Sequence, residues 1–143
     1  SIAAFQHEGG LIYAECGGFM YLSESITDNS GKKHKMCGLV PGHTTMTGRL
    51  RSLGYRKAQT VGDSFFGPAG TLFRGHEFHW SDIEYSDAVT PMWNISNSDG
   101  TKTSASGCQD SNLCASYIHL HFASNPKAVE CMVGRCAAIS SGK

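Results

Sequence analysis

A thiol set between a short apolar run and a glycine pair is the first place where this sequence could do chemistry. In Tyr13-Ala14-Glu15-Cys16-Gly17-Gly18-Phe19, a strand-like stretch ends at a nucleophile-type residue just before a helix-like one. A sharp strand-to-helix turn lifts a side chain out of the sheet, and glycine tolerates the crowded backbone beside it. The start of the following helix favours thiolate over thiol. Backbone N–H groups after the cysteine, on Gly17 and Gly18, can stabilise an oxyanion. The plainer reading of the same residues is a buried cysteine beside a glycine turn.

A cysteine nucleophile needs a base, and the chain offers His7, His34, His43, His76, His79, His119 and His121. Two of them close an alternating run, Tyr117-Ile118-His119-Leu120-His121-Phe122. In one continuous strand, residues two apart share a face, so both rings would point the same way. A strand-end histidine facing a strand-end cysteine can form a thiolate–imidazolium pair. A third cluster is Gly75-His76-Glu77-Phe78-His79-Trp80. If extended, it puts His76 and Phe78 on one face and Glu77 and His79 on the other, to orient substrate or to pack an interface. It is not the H-E-x-x-H zinc motif, because its second histidine comes one position early. A metal site built from His119, His121 and His76 or His79 is an alternative, since two histidines at i and i+2 of a strand can share an ion.

The elements that must position these groups are short. Ser1 to Gly9 reads as a helix end closed by Gly9-Gly10, and Leu11 to Ala14 as a buried strand. A helix opens at Phe19. A polar loop with Asp28, Asn29 and Gly31 follows, then a strand over Cys37 to Val40 stopped by Pro41-Gly42. Strand patterns run over 48–60, Leu72 to Trp80, Val89 to Ile95 and Cys114 to Phe122, with a turn at Gly67-Pro68-Ala69-Gly70. Ser96 to Asn112 is polar and rich in Gly, Ser and Thr, which predicts a mobile surface loop. Asn125-Pro126 starts a helix whose apolar face carries Ala128, Val129, Met132, Val133, Cys136 and Ala137. Ser140 to Lys143 reads as a fraying tail. The mixture predicts an α/β sheet with an antiparallel insertion.

Bulk properties narrow the function classes. The 143 residues suit one domain, with no internal repeat or linker, and 40% hydrophobic with 17% charged residues is a globular composition. A formal net charge of zero argues against nucleic-acid partners and against steering to anionic membranes. No apolar run approaches the roughly 20 residues of a membrane-spanning helix, and the N-terminus lacks the features of a signal peptide. The six cysteines contain no C-x-x-C pair. They read as free thiols in a reducing compartment, with Cys131 and Cys136 as small buried helix residues and a Cys108–Cys114 disulfide as the exception to test.

Four stretches together resemble the C-terminal glutaminase domain of the cobyrinate a,c-diamide synthase family. They are Ile12 to Leu22, Gly38-Leu39-Val40-Pro41-Gly42 through Met46 to Arg49, Arg74 to Ser81, and Ser116 to Pro126, in the family's order and over most of the chain. The resemblance implies an α/β, class I glutamine amidotransferase-like (flavodoxin-like) three-layer sandwich. It implies Cys16 as nucleophile toward the glutamine side-chain amide, and His119 as base, because Tyr117-Ile118-His119 matches the Tyr-x-His pattern of the sister cobyric acid synthases. Glu15, Gly17, Gly18, His76, Glu77, His79 and His121 become supporting or substrate-binding positions. No metal or other cofactor is expected in this chain. ATP and Mg²⁺ belong to a synthetase domain or subunit that would use the ammonia to amidate the a and c carboxylates of cobyrinate. Expected partners are therefore glutamine, that synthetase and, in a homodimer, a second copy. The expected location is cytoplasmic.

Two departures accompany the resemblance. Residues 1–143 read as a partial amidotransferase domain that lacks the synthetase domain and its own first strands. A non-catalytic remnant acting as a binding or structural subunit is the competing reading. Ordinary class I glutaminases follow the histidine with Pro-Glu. Here Leu120-His121 follows, so the expected site is a Cys-His dyad or a triad completed from elsewhere.

Overall fold

Frequent glycines and short apolar runs cut this chain into many short elements. The computed structural model describes residues 1–101 and 103–142; Lys102 in the expected loop and Lys143 in the expected tail lie outside the described residues. The chain begins with α1 (Ile2–His7), closed where Gly9 takes φ 87°. Then come β1 (Ile12–Glu15), α2 (Gly17–Leu22), β2 (Ser23–Thr27), β3 (Lys33–Lys35) and β4 (Val40–Met46). The middle holds β5 (Ser52–Thr60), β6 (Leu72–His79), β7 (Ser81–Tyr85) and β8 (Trp93–Asn97). The rest is β9 (Thr103–Ser106), β10 (Cys108–Asp110), β11 (Leu113–Ser116), β12 (His119–Leu120), a 3₁₀ turn (Phe122–Ser124) and α3 (Pro126–Ser141). No helix among the described residues is long and apolar enough to cross a membrane.

The described strands form three sheets, ordered β1-β11-β10, β12-β6-β5-β8-β9 and β3-β2-β4-β7. All four residues of β11 are buried, because this strand is covered on both faces. Cys114 packs in a core with Phe66, Phe73, Trp93 and Ile118, while Leu113 and Ala115 pack in a second core with Phe19, Leu22 and Val40. The small β1-β11-β10 sheet thus lies between two apolar cores, and the mixed α/β class expected from the sequence is what the chain adopts. Trp93 is fully buried, and its indole N–H donates to Ser116 Oγ at 3.1 Å. A buried indole needs such a partner, and this one ties the second sheet to the first.

Several local expectations are corrected. Cys37 to Leu39 is not strand; β4 begins at Val40 and continues through Pro41-Gly42. Ser23 pairs with Val40 and Ser25 with His43, so β4 carries an extra residue there, and a bulge accommodates a proline that lacks an N–H. About half of the 96–112 stretch is strand, in β8, β9 and β10. Asp99-Gly100 turns the β8–β9 hairpin, with Gly100 N–H donating to Asn97 O at 2.9 Å. Gly107, at φ 76°, then lets the chain cross to β10 where a Cβ would meet Ala115 O at 2.6 Å. The run from Cys114 to Phe122 is two strands in two sheets, β11 and β12, broken at Tyr117-Ile118. Cys131 and Cys136 are exposed, because α3 meets the core only through Ala128, Val129 and Met132. Cys108 and Cys114 are free. They sit on opposite faces of their sheet, in different cores, so no disulfide can join them.

Gly75 controls how closely β12 approaches. Its register partner is Leu120, and a Cβ at Gly75 would collide with the His119 carbonyl oxygen. Gly75→Ala should therefore lower stability by about 1–3 kcal/mol, read from urea unfolding. Gly17→Ala, where nothing lies within 4 Å of the new Cβ, should change stability by no more than about 0.5 kcal/mol. Equal stabilities would mean that β12 does not pack this tightly on β6.

Candidate active site

The thiol is presented by a strand, a strained turn and a helix. β1 runs parallel to β11 with Glu15 opposite Ser116, and Cys16 N–H donates to Ser116 O at 2.8 Å. The backbone then turns sharply at Cys16, with φ 47° and ψ −105°. Among the described residues, Cys16 is the one non-glycine residue with positive φ. Such a conformation costs about 1–3 kcal/mol and persists only where its surroundings impose it. Gly18 fits the turn closely, since a Cβ there would lie 3.3 Å from Ala14 Cβ. Phe19 and Leu22 anchor α2 in the second core.

Cys16 is half-buried, and its Sγ faces the Phe78 carbonyl oxygen at 3.8 Å. Burial pushes its thiol above the ordinary value; the Gly17 N–H opposes this, and the Glu15 charge adds to it. The thiolate-favouring environment expected from the sequence is therefore absent in the free chain: α2 has only 6 residues, and burial outweighs it. The other thiols are placed differently. Cys108 and Cys114 are buried, their thiols pushed up to about 11 and about 12. Cys131 and Cys136 lie on the open side of α3, and Cys37 follows β3 in a loop.

His119 pairs in register with His76, and the two rings stack with centroids 4.9 Å apart and planes 15° from parallel. His119 Nδ1 lies 3.4 Å from Glu15 Oε2. The other oxygen, Glu15 Oε1, accepts the Leu120 N–H at 2.8 Å and the Tyr13 hydroxyl. Burial, reinforced by Glu15, keeps that phenol protonated well above its usual range.

The remaining expected site residues separate. β6 is extended, so Glu77 and His79 lie on the face opposite His76. Glu77 accepts from Arg56 Nε and Ser52 Oγ, both at 2.8 Å. The His79 ring stacks on Tyr117 at 3.9 Å, with its Nδ1 2.9 Å from Ser81 O. His121 lies outside the β12 ladder; its N–H donates to Arg74 O, and its exposed side chain lines an open groove of about 390 Å³ with Tyr55, Arg74 and His76. The expected common face for His119 and His121 on one continuous strand is thus corrected. Among the described residues, no group of three or more His, Cys, Asp and Glu is arranged to hold a metal ion. Sequence reasoning missed Tyr13. The available signal was alternation, which places Tyr13 and Glu15 on one face of β1.

The family model for the CobB/CobQ-like glutamine amidotransferase domain matches residues 1–127. The cobyrinate a,c-diamide synthase of Syntrophotalea carbinolica is 42% identical over 139 residues, covering 95% of this chain and 30% of that protein. The Salmonella typhimurium protein of the same name is 38% identical over 130 residues, covering 90% of this chain and 28% of its own length. That of Streptococcus sanguinis is 41% identical over 123 residues, covering 85% and 27%. The chain spans less than a third of the length of these relatives.

The position of the Cys16 thiol predicts a pH dependence. A raised value means that thiolate appears only at higher pH. Alkylation of Cys16 by iodoacetamide, followed by peptide mass spectrometry, should reach half its maximal rate at higher pH in the folded chain than in the same chain unfolded in urea. A lower midpoint in the folded chain would show that an activating group outweighs burial.

Proposed function

The chain belongs to the family of CobB/CobQ-like glutamine amidotransferase domains, and we propose that its own site hydrolyses glutamine to glutamate and ammonia, with Cys16 as nucleophile and His119 as base. The observation that carries this reading is the backbone at Cys16, φ 47° between β1 and α2. A strained strand-to-helix turn holding a thiol is what a nucleophile elbow requires.

The chemistry follows from the groups present. A thiol held above its ordinary range by burial needs a base beside the substrate. His119 takes its proton, and the sulfur forms a bond to the side-chain amide carbon of glutamine. The Gly17 and Gly18 N–H groups, at the open first turn of α2, meet the oxyanion. The imidazolium returns its proton to the amide nitrogen as the C–N bond breaks and ammonia leaves. Water, deprotonated by His119, then attacks the thioester; the C–S bond breaks, glutamate leaves and the thiol regains its proton.

The proposal extends to the fate of the ammonia. The similar proteins named above are cobyrinate a,c-diamide synthases, and on that basis the ammonia passes to an ATP- and Mg²⁺-dependent synthetase part, which amidates the a and c carboxylates of cobyrinate. This chain's own step calls for no cofactor. The six free cysteines support a reducing, cytoplasmic setting.

Two measurements test the reading. A diazoketone analogue of glutamine should add covalently to Cys16, with excess glutamine protecting it, and Cys16→Ala should abolish glutamate release. An adduct on another cysteine, or turnover that survives Cys16→Ala, overturns the assignment. His119→Ala should lower kcat by about 10²–10⁴-fold, and His121→Ala by much less. The reverse ranking transfers the base to His121.

A further inference from the structure

A strand-end carboxylate stands where the sequence shows no triad acid. We propose that Glu15 is the positioning carboxylate of this site: it holds the Nδ1–H of His119 and so leaves Nε2 free to take the Cys16 proton. The inference rests on the glutaminase reading above and adds a third member to its Cys-His pair.

The two carboxylate oxygens divide the work. Oε1 accepts from the Leu120 N–H at 2.8 Å and from the Tyr13 hydroxyl, while Oε2 faces His119 Nδ1 at 3.4 Å. Tyr13 is itself held by the ring of Phe66, edge-on with centroids 5.3 Å apart, and by Phe122. The Leu120 bond comes from the residue after His119, so one carboxylate fixes both the base's backbone and its ring. On the ring's other flank, His76 stacks at 4.9 Å. Carboxylate orientation is therefore set before any proton moves, which is the condition for electrostatic help without reorganisation. The 3.4 Å separation is loose for a hydrogen bond, as catalytic contacts are in substrate-free enzymes.

Four other carboxylates form ion pairs of their own. Glu77 pairs with Arg56, Asp82 with Arg51, Glu24 with His43 and Asp28 with His34. The titratable groups in contact with the His119 ring are Glu15 from β1 and His76 from β6; Tyr13 reaches it through Glu15, and Arg74 and His121 line the groove beside His76.

Glu15→Gln isolates the charge. Glutamine keeps an oxygen for Leu120 and Tyr13, so the fold should hold, but it presents an NH₂ donor to His119 Nδ1. That forces the proton onto Nε2, the tautomer that cannot accept from the thiol. Ring ¹⁵N shifts of the folded chain, at a pH where His119 is neutral, should show Nδ1–H in the wild type and Nε2–H in Glu15→Gln. Glutamine kcat should fall about 10²–10⁴-fold with KM unchanged and the variant still unfolding cooperatively, at a modestly lower midpoint because a neutral acceptor replaces a charged one at the Leu120 N–H. An Nε2–H tautomer in the wild type, or a variant with wild-type kcat and tautomer, overturns the role of Glu15. Cys16→Ala, run alongside, separates this from failure of the glutaminase reading: if its turnover is unchanged, that reading fails, and the tautomer still decides whether Glu15 orients the ring.

Discussion

The bond from Leu120 N–H to the Glu15 carboxylate joins two sheets that the backbone ladders leave apart. β1 belongs with β11 and β10, whereas β12 belongs with β6 and β5, and no ladder among the described residues pairs β1 with β12. Cys16 and His119 therefore arrive from different sheets, and the carboxylate beside Cys16 contacts the strand that carries His119. A hydrogen bond to a charged acceptor contributes about 1.5–3 kcal/mol, enough to hold a strand of 2 residues that could not hold itself. The covalent path supports the same geometry. Between β11 and β12 the chain crosses through Tyr117 and Ile118, each buried in a different core.

β6 presents different partners on its two faces. Its alternation puts Glu77 and His79 where they bind Arg56, Ser52, Tyr117 and Ser81, which leaves His76 on the His119 side. The two carboxylates therefore differ in what their partners leave unsatisfied. Oε2 of Glu77 accepts two donors from β5 and has a structural task. Oε1 of Glu15 accepts two donors while Oε2 looks onto a titratable ring.

What could be read from the sequence was local. The Glu15-Cys16-Gly17-Gly18 turn needs no distant partner to be recognised, and the alternation from His76 to His79 predicted its two faces. The misreadings arose where tertiary structure overrides composition. The stretch around Ser104 to Gln109 is small and polar, so it looked like loop, yet Gly107 and Cys108 are buried because the chain crosses between sheets there. Cys114 to Phe122 looked like one strand because both halves alternate, and alternation does not show a change of sheet. Pro41 looked like a stop because a bulge is invisible in one strand alone. Glu15 was expected as a supporting or substrate-binding position, but its contact with His119 could not be read, since His119 lies 104 positions away in sequence and meets it only through folding.

The strain at Cys16 shows what this architecture sustains. A non-glycine residue at φ 47° costs about 1–3 kcal/mol, and a glycine there would remove most of that cost along with the thiol. The conformation is held from both sides. Cys16 N–H is bound to Ser116 O of the doubly buried β11, and Cys16 O accepts from Met20 N–H at 3.0 Å. Beyond it, Phe19 and Leu22 are 1% and 3% exposed, and burying such side chains contributes about 1.5–3 kcal/mol each. Relaxing the turn would withdraw α2 from the second core and lose more than the strain it released. The thiol thus stays raised because the helix behind it is anchored, and the anchors are apolar residues that take no part in the chemistry.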